Sequence, residues 1–282
     1  MNGILIMKKI LCLIIAIISL CFILTGCEQK REPNPASDFS YSVLEDGTIA
    51  IGKYIGTSEV VIVPNEIDGK TVTIIYSTTF AYHETITYVE IPNTVKTIGA
   101  CSFENCTSLE TVVLHEGIEK IGKDAFAHCS SLKEISLPDS LSDLGYGAFF
   151  ECTSLKYIKI PKNALNNGGK AAFCSSGLEK VKLEEGIKVI PYGIFNGSML
   201  KEIEIPSTVE TIEEGAFYYC TNLEKVVLNE GLKSIGETAF YATSIKKITI
   251  PKTVTNIANS AFEDCKLLEE IKFKGEIPEN YQ

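Results

Sequence analysis

The chain is poor in the residues on which most catalytic sites depend. It has three histidines, His83, His115 and His128, and no glycine-rich loop of the kind that cradles phosphates. A serine or cysteine nucleophile needs a histidine base that is itself held by a carboxylate, and no histidine here stands in such a pattern. Adjacent acids such as Glu184 and Glu185 occur without the features of a glycosidase pair. The sequence therefore predicts no enzyme and no cofactor.

Basic residues are outnumbered. The chain carries 26 lysines and arginines against 36 aspartates and glutamates, a formal net charge of −10. Nucleic acids and anionic lipid surfaces require a basic face, so the balance argues against both as ligands. An excess of acidic charge favours solubility.

The first 26 residues have the pattern of an export leader. Lys8 and Lys9 precede an apolar run over 10–24, which is short for a membrane-spanning helix of roughly 20 residues. The run ends in Leu24-Thr25-Gly26-Cys27, which resembles a bacterial lipobox, and this resemblance implies cleavage before a lipidated Cys27. An ordinary signal peptide or a single membrane anchor is the alternative. Acyl chains on Cys27 would hold the protein on the outer cell surface, with residues 27–38 as a flexible tether.

A repeat dominates the remainder of the chain. Nine phenylalanines recur at intervals of 22 to 24 residues: Phe80, Phe103, Phe126, Phe149, Phe173, Phe195, Phe217, Phe240 and Phe262. The surrounding unit is approximately A-F-x-x-C-x-x-L-x-x-I-x-L-P-x-x-V-x-x-I-G. A fixed period of this length is the signature of a repeat solenoid, and one repeat is called a coil below.

Each coil contains one segment with the period of a half-buried strand. The stretch Leu132 to Leu137 alternates apolar and polar residues at its end. A proline follows several of these segments and ends the strand, because proline has no N–H to donate. A second apolar pair, such as Ile118 and Ile121, is then closed by a glycine. A single coil cannot bury its apolar side, whereas stacked coils can.

The pattern resembles leucine-rich repeats, and more closely the BspA-type (Treponema-type) repeats of bacterial surface lipoproteins. The A-F-x-x-C lead-in, the I-P step and the V-x-x-I-G step carry this resemblance over about residues 40–274. It implies a leucine-rich-repeat solenoid with a parallel β-sheet on one face and short turns or 3₁₀ or helical pieces on the other. The repeats are predicted over 80–274, followed by a short tail over 275–282.

The region before Phe80 is predicted as an N-terminal β cap over residues 39–79. Residues 39–51 read as a hairpin that turns at Asp46 and Gly47. Residues 60–63 form a strand, and Asp68 and Gly69 a second tight turn. The C-terminal tail is thin for a terminal coil, which usually needs a polar cap. Either these few residues suffice, or another molecule covers this end.

Five cysteines belong to the repeat. They stand three residues after the repeat phenylalanine, where other coils have His83, Ser198 or Thr243. A position that accepts such residues is a small, semi-polar site, for which buried free thiols suit better than disulfides or a metal. Cys101 and Cys174 lie off this position and are the better candidates for reactive thiols. The five repeat cysteines are Cys106, Cys129, Cys152, Cys220 and Cys265.

Three features are candidate binding sites. The outward residues of the strands include one basic cluster with an aromatic: Lys156, Tyr157, Lys159, Lys180 and Lys182. Tyr88, an outward residue of an earlier coil, is a further candidate ligand-binding residue. The alternative for this sheet is cross-strand ion pairing that keeps it soluble. The irregular stretch 162–173, KNALNNGGKAAF, is either a functional loop or a tolerated insertion. Phe150, Tyr218 and Tyr241, each following a repeat phenylalanine, are either contact residues or partly buried between coils.

The resemblance makes adhesion to host extracellular proteins or to other cells the leading functional hypothesis. The protein would bind a protein or glycan ligand through a rigid extended surface. A structural or assembly role in the cell envelope and a glycan-binding lipoprotein are the alternatives.

Overall fold

A computed structural model describes residues 31–281 of the protein. The predicted leader over 1–26 and the predicted lipidation site, Cys27, lie outside the described residues. Within residues 31–281, no helix has the length and apolar content needed to cross a membrane. The unit described below begins at Pro33.

The coils stack through two ladders of parallel strands. The first, called the long-strand ladder, uses the L-x-x-[IV]-x-[LI] segments, in which alternate residues point inward and outward. Its strands begin two residues after the leucine of this motif. They are β3 (Val60–Ile62), β6 (Tyr88–Ile91), β8 (Thr111–Leu114), β10 (Glu134–Ile135), β12 (Tyr157–Ile160), β13 (Lys180–Leu183), β15 (Glu202–Ile205), β17 (Lys225–Leu228), β19 (Lys247–Ile250) and β21 (Glu270–Phe273).

The second ladder, called the short-strand ladder, uses the residues just before the V-x-x-I-G glycine. Most of its strands have two residues, of which the second is buried. They are β2 (Ile49–Tyr54), β5 (Lys70–Ile75), β7 (Thr97–Ile98), β9 (Lys120–Ile121), β11 (Asp143–Leu144), β14 (Val189–Ile190), β16 (Thr211–Ile212), β18 (Ser234–Ile235) and β20 (Asn256–Ile257). The glycine is required in part by close approach, because a Cβ at Gly122 would lie 2.6 Å from the Ala100 nitrogen.

The predicted parallel solenoid is confirmed, with one difference in its cross-section. A single parallel sheet faced by turns or helical pieces is expected from the sequence, whereas the structure has two parallel ladders. Among the described residues, the 3₁₀ segments are Ala36–Asp38 and Glu279–Tyr281, both outside the repeats. The helical pieces are replaced by tight turns around the repeat phenylalanines.

These phenylalanine turns form a third line of contacts between coils. The residues two before and two after the phenylalanine usually have left-handed backbone conformations, as at Asp124 (φ 52°) and His128 (φ 61°) around Phe126. This geometry turns the phenylalanine amide toward the following coil, where Phe126 N–H donates to the Ala148 carbonyl at 2.8 Å. The same bond recurs from Phe80 to Phe240 at 2.7 to 3.0 Å. The turns are therefore hydrogen-bonded along the stack as the strands are.

The phenylalanine rings fill the centre of the stack. All nine are buried, and neighbouring ring centroids are 4.6 to 6.0 Å apart with the planes 3 to 23° from parallel. Leucines, isoleucines and valines of both ladders pack around them in one continuous core. A ring between two coils is covered by the rings on either side, so each coil depends on its neighbours for burial.

The N-terminal region is built into both ladders. The hairpin expected over 39–51 is present as β1 (Phe39–Val43) and β2, which pair antiparallel. A second antiparallel pair, β4 (Glu66–Ile67) and β5, turns at Asp68 and Gly69, both with positive φ. In addition, β2 pairs in parallel with β5, and β3 with β6. The region thus closes the stack with β1 and at the same time supplies the first rungs of both ladders.

The tail packs on one side of the last coil. Tyr281 contacts the rings of Phe262 and Phe273, with centroids 6.5 and 6.2 Å apart. The Asn280 amide donates to the Ile257 carbonyl at 2.7 Å. These contacts cover the short-strand ladder and the last phenylalanine, while Leu267 is 50% exposed beside β21.

Truncation of a central ring tests whether the ladder holds the coils together. We expect Phe126→Ala to lower the free energy of unfolding by about 3 to 5 kcal/mol, because it removes a fully buried ring from between two others. Urea denaturation followed by circular dichroism measures this change. Tyr157→Ala, which removes a half-exposed ring, serves as the control. A loss below about 1 kcal/mol for Phe126→Ala would contradict the burial described here.

Candidate functional site

The long-strand ladder brings most of the predicted basic cluster together. In the parallel register of β12 and β13, Tyr157 lies beside Lys180, and Lys159 beside Lys182. Lys156 precedes Tyr157 at the start of the same strand. Tyr157 is 49% exposed, and its aromatic ring stands among four lysines from two coils.

Tyr88 does not join this cluster. It lies on β6, and two further strands, β8 and β10, separate β6 from β12 in chain order. Its hydroxyl donates to the Glu90 carboxylate at 3.3 Å, and its side chain is half-buried. Tyr88 is therefore a candidate binding residue separate from the Tyr157 cluster, because equal positions in distant coils are separated by the rise of the stack.

The lysines of the cluster differ in how far they are neutralised. Lys159 Nζ lies 2.6 Å from Glu184 and 3.4 Å from Asp139, and its hydrogen bond to Glu184 raises the lysine pKa. Lys156 Nζ lies 3.7 Å from Glu179. Within residues 31–281, the ammonium groups of Lys180 and Lys182 make neither a hydrogen bond nor an ion pair, although the charge of Lys182 contributes to lowering the pKa of Glu184. The charge available to a ligand is therefore concentrated on β13.

A shallow groove of about 760 Å³ lies beside these two lysines. It runs where the ladder pairing is interrupted between β13 and β15. Lys180 and Lys182 line it from β13, and Glu202 and Glu204 line it from β15. The groove thus presents positive charge on one strand and negative charge on the next.

Much of the remaining face is paired internally, as the alternative interpretation of the sequence expects. Glu110 and Lys133 lie 2.9 Å apart on successive coils, and Lys247 and Glu270 lie 3.3 Å apart. Such exposed pairs contribute about 0 to 1 kcal/mol each. Their effect is to neutralise the face outside the groove.

The irregular stretch after Pro161 interrupts the short-strand ladder. Between β11 and β14 the described chain has no short strand, and residues 162–170 instead form turns. The Asn167 amide donates to the Ser142 carbonyl at 3.2 Å. A Cβ at Gly168 would lie 2.2 Å from the Leu144 carbonyl oxygen, so only glycine fits against the preceding coil. The insertion is ordered by contacts to its neighbour and leaves a hollow of about 600 Å³ beside it.

The aromatics that follow the repeat phenylalanines are partly buried between coils. Phe150, Tyr218 and Tyr241 are all half-buried. The rings of Tyr218 and Tyr241 stack at 4.8 Å with planes 16° apart, and Tyr219 meets Tyr218 edge-on at 4.8 Å. Tyr219 is 48% exposed. It is the most accessible member of this cluster, and the sequence pattern did not single it out.

Comparison with known proteins identifies the repeat. The family model described as the BspA type leucine-rich repeat region matches residues 73–201 and 188–281, with six copies. The chain belongs to this family. A comparison with curated proteins gave no match.

Solved structures with this architecture come from several bacteria. A leucine-rich repeat protein from Bacteroides ovatus is 28% identical, with a TM-score of 0.75 over 89% of this chain and 69% of that one. The T. pallidum leucine-rich repeat protein is 24% identical, with a TM-score of 0.56 over 84% and 91% of the two chains. One from Eubacterium ventriosum is 23% identical, with a TM-score of 0.50 over 86% and 71%. The last two show likeness of fold.

A BspA-type solenoid is typically a binding scaffold rather than a catalytic fold, and the histidines of this one have structural surroundings. His83 packs edge-on against Tyr54 at 5.3 Å. His115 and His128 each contact a glutamate of a neighbouring coil, Glu90 at 3.0 Å and Glu151 at 3.1 Å. Within the described chain, no hydrogen bond joins a histidine ring to a serine hydroxyl or a cysteine thiol.

The repeat cysteines of this BspA-type protein are thiols that donate along the stack. Cys129 Sγ, for example, lies 3.1 Å from the carbonyl oxygen of Phe103 on the preceding coil. Burial raises the pKa of Cys106 and of Cys220 to about 12, and it raises those of Cys129 and Cys152. All seven cysteines among the described residues are free. These protonated thiols are poor nucleophiles.

Cys101 and Cys174 are not activated either. Both are half-buried. Desolvation raises the pKa of Cys101, and hydrogen bonding to Glu104 raises it further. Desolvation also raises the pKa of Cys174. A raised pKa lowers the thiolate fraction, so neither thiol is activated, but both are more accessible than the fully buried repeat cysteines such as Cys129.

The buried thiols predict a loss of stability at high pH. The unfolded chain loses thiol protons near pH 8.5 to 9, whereas folded Cys106 and Cys220 keep theirs to about pH 12. The unfolded state thus binds fewer protons over this range, and stability falls as pH rises. For each thiol the slope approaches about 1.4 kcal/mol per pH unit well above pH 9 and averages roughly half of that between pH 8 and 10. Urea denaturation at pH 8, 9 and 10 measures the slope.

A double variant separates these thiols from other groups that titrate. Cys106→Ser with Cys220→Ser should remove the contribution of both thiols and give an average slope between pH 8 and 10 that is shallower by about 1.5 kcal/mol per pH unit. Serine is a suitable replacement because Ser198 occupies the equivalent position of another coil, 3.4 Å from Cys220 Sγ. Parallel slopes for the two proteins would contradict the buried, protonated state.

Proposed function

We propose that this protein is a lipid-anchored cell-surface protein that binds a macromolecular partner, with adhesion to a host extracellular protein or to another cell as its role. The partner would contact the long-strand ladder at the groove between β13 and β15. The proposal rests on one observation above all. Lys180 and Lys182 stand on one strand with their ammonium groups outside any ion pair, beside the exposed ring of Tyr157. The neighbouring Lys156 and Lys159 are instead paired with glutamates.

The surroundings of the groove favour a protein partner of mixed charge. Tyrosine is a residue type that contributes strongly to recognition at protein interfaces. Lysines outside ion pairs add electrostatic steering and specificity. Glu202 and Glu204, on the adjacent strand, would repel a uniformly acidic partner and accept basic side chains. Because the strands are hydrogen-bonded in a rigid stack, these side chains are positioned before the partner arrives, which limits the entropy lost on binding.

The anchor is the second part of the proposal. The Leu24-Thr25-Gly26-Cys27 motif supports export and lipidation, and an acylated terminus would leave the repeat domain outside the cell on a tether. Neighbouring copies on one surface would then act together, so that weak single contacts sum to firm attachment.

Reversal of charge on β13 tests the binding site. The full chain, held in a mild detergent, is measured by surface plasmon resonance against purified fibronectin, laminin and type I collagen. We expect binding to one of them, and the double change Lys180→Glu with Lys182→Glu should weaken it by at least about tenfold and slow association. Lys246→Glu, an exposed lysine change on the same ladder three coils away, should have little effect.

Two results would count against adhesion through this groove. Equal binding by the charge-reversed protein and by the wild type would place the contact elsewhere. Failure to bind any of the three proteins, together with co-purification of one envelope protein from the producing cell, would favour the structural role in the envelope.

Replacement of the lipidated cysteine tests the anchor separately. In cells that produce Cys27→Ser, we expect the protein to leave the membrane fraction and appear in the soluble fraction or the medium. The loss of acyl chains removes the apolar surface that would hold it in the bilayer. Quantitative immunoblots of the fractions measure this shift. Retention of the variant in the membrane would show that another segment provides the attachment.

A further inference from the structure

A second, separate groove follows the short-strand ladder. Two hollows, of about 600 and 1090 Å³, lie along this side of the stack. Both are lined by Tyr146, Lys170 and Glu213, so they meet at these residues. The place where they meet is beside the irregular stretch 162–170, which has no short strand.

Two tyrosines project into this groove from alternate coils. Tyr146, Lys170 and Tyr192 each stand three residues before a repeat phenylalanine, on three successive coils. The Gly147 amide donates to the Lys170 carbonyl at 3.1 Å, and the Ala171 amide donates to the Tyr192 carbonyl at 2.9 Å. Since coils repeat at about the strand spacing of 4.8 Å, the two tyrosine positions are roughly 10 Å apart.

Local backbone structure keeps both rings accessible. Tyr146 is 52% exposed and Tyr192 is 44% exposed. Each is followed by a glycine in the left-handed conformation, Gly147 (φ 61°) and Gly193 (φ 58°), where most other coils carry larger residues. Lys123 Nζ lies 6.0 Å from the Tyr146 ring centroid and helps to orient this ring.

Polar side chains stand in register next to the tyrosines. Thr211, Ser234 and Asn256 face one another across β16, β18 and β20. The hydroxyls of Thr211 and Ser234 are 3.1 Å apart. These groups both donate and accept hydrogen bonds, and they form a row that continues from the tyrosines toward Asn280, which lines the same hollow.

The charges of the groove limit the class of ligand. Lys170 is accompanied in the larger hollow by Glu213, Glu214 and Glu237. This balance disfavours a polyanion such as a sulfated glycan. Flat aromatic faces combined with hydroxyl and amide groups instead match the chemistry of neutral sugars, which present C–H faces for stacking and hydroxyls for hydrogen bonds.

We propose that the groove bearing Tyr146 and Tyr192 binds a neutral, extended, β-1,4-linked oligosaccharide. In such a chain each sugar is flipped relative to the last, so the same face recurs every second unit. The two tyrosines lie two coils apart, and their separation of roughly 10 Å is close to the length of two sugar units in such a chain. Each tyrosine ring would therefore stack on the same face of every second sugar. This site is independent of the groove between β13 and β15.

Isothermal titration calorimetry of the full chain in mild detergent tests this assignment. Cellohexaose and chitohexaose are the probes, and maltohexaose, which has α-1,4 links and a curled chain, controls for shape. We expect binding of at least one β-linked hexamer and not of maltohexaose. Tyr146→Ala and Tyr192→Ala should each weaken it by at least about tenfold, whereas Tyr146→Phe, which keeps the ring, should bind nearly as the wild type does.

Matched controls keep the outcome specific. Tyr76→Ala removes a tyrosine of similar exposure, 41%, outside the groove and should leave sugar affinity unchanged. The Lys180→Glu with Lys182→Glu protein should also bind sugar normally, so failure of the adhesion proposal and failure of this one are distinguishable. The assignment is overturned if neither β-linked hexamer binds, if maltohexaose binds equally well, or if both alanine variants keep wild-type affinity with unchanged thermal midpoints.

Discussion

The structure depends on hydrogen bonds and ring contacts between one coil and the next. A coil of 22 to 24 residues has too few apolar side chains to surround its own phenylalanine, so the ring is covered by the rings above and below it. The turn that holds the ring donates its amide to the following coil, as Phe126 does to Ala148. Burial and backbone pairing are therefore both properties of neighbouring coils, and stability is expected to propagate along the stack.

The same dependence arranges the side chains of the two proposed binding surfaces. Side chains at one position of the repeat are held in a row at the spacing of the coils, whichever residue type occupies the position. On the long-strand ladder this row places Lys180 and Lys182 opposite Glu202 and Glu204. On the short-strand ladder it places Tyr146 and Tyr192 on alternate coils. Both proposed surfaces use residues that do not contribute to the core, so the outward residues can vary while the core pattern stays regular.

The solenoid could be predicted from the sequence because the buried positions recur at a strict period. The second strand ladder and the accessible outward residues could not be predicted in this way, because the period does not specify them. Two-residue strands such as β16 are too short to show alternation, so the second ladder was expected only as an apolar pair. Tyr146 and Tyr192 are each followed by a glycine, and this Tyr-Gly dipeptide three residues before a repeat phenylalanine could have identified them from the sequence. Whether the Lys180 ammonium forms an ion pair depends on which side chains of neighbouring coils can reach it, and the spacing of residues in the sequence does not show this. Ser198 and Thr243 occupy the cysteine position in two coils that have one residue fewer between the repeat phenylalanine and the next long strand. The hydroxyl of each lies within 3.4 Å of the cysteine sulfur of the following coil, Cys220 for Ser198 and Cys265 for Thr243.

Native-state hydrogen exchange at the phenylalanine amides tests this account most directly. If the turns hold the coils together, the amides of Phe126, Phe149 and Phe173 should be among the slowest in the protein. They should also open together, with a free energy that approaches that of global unfolding, while amides in the last coil open first. Exchange at these central phenylalanines as fast as at exposed turn residues would contradict the claim that the phenylalanine turns link the stack.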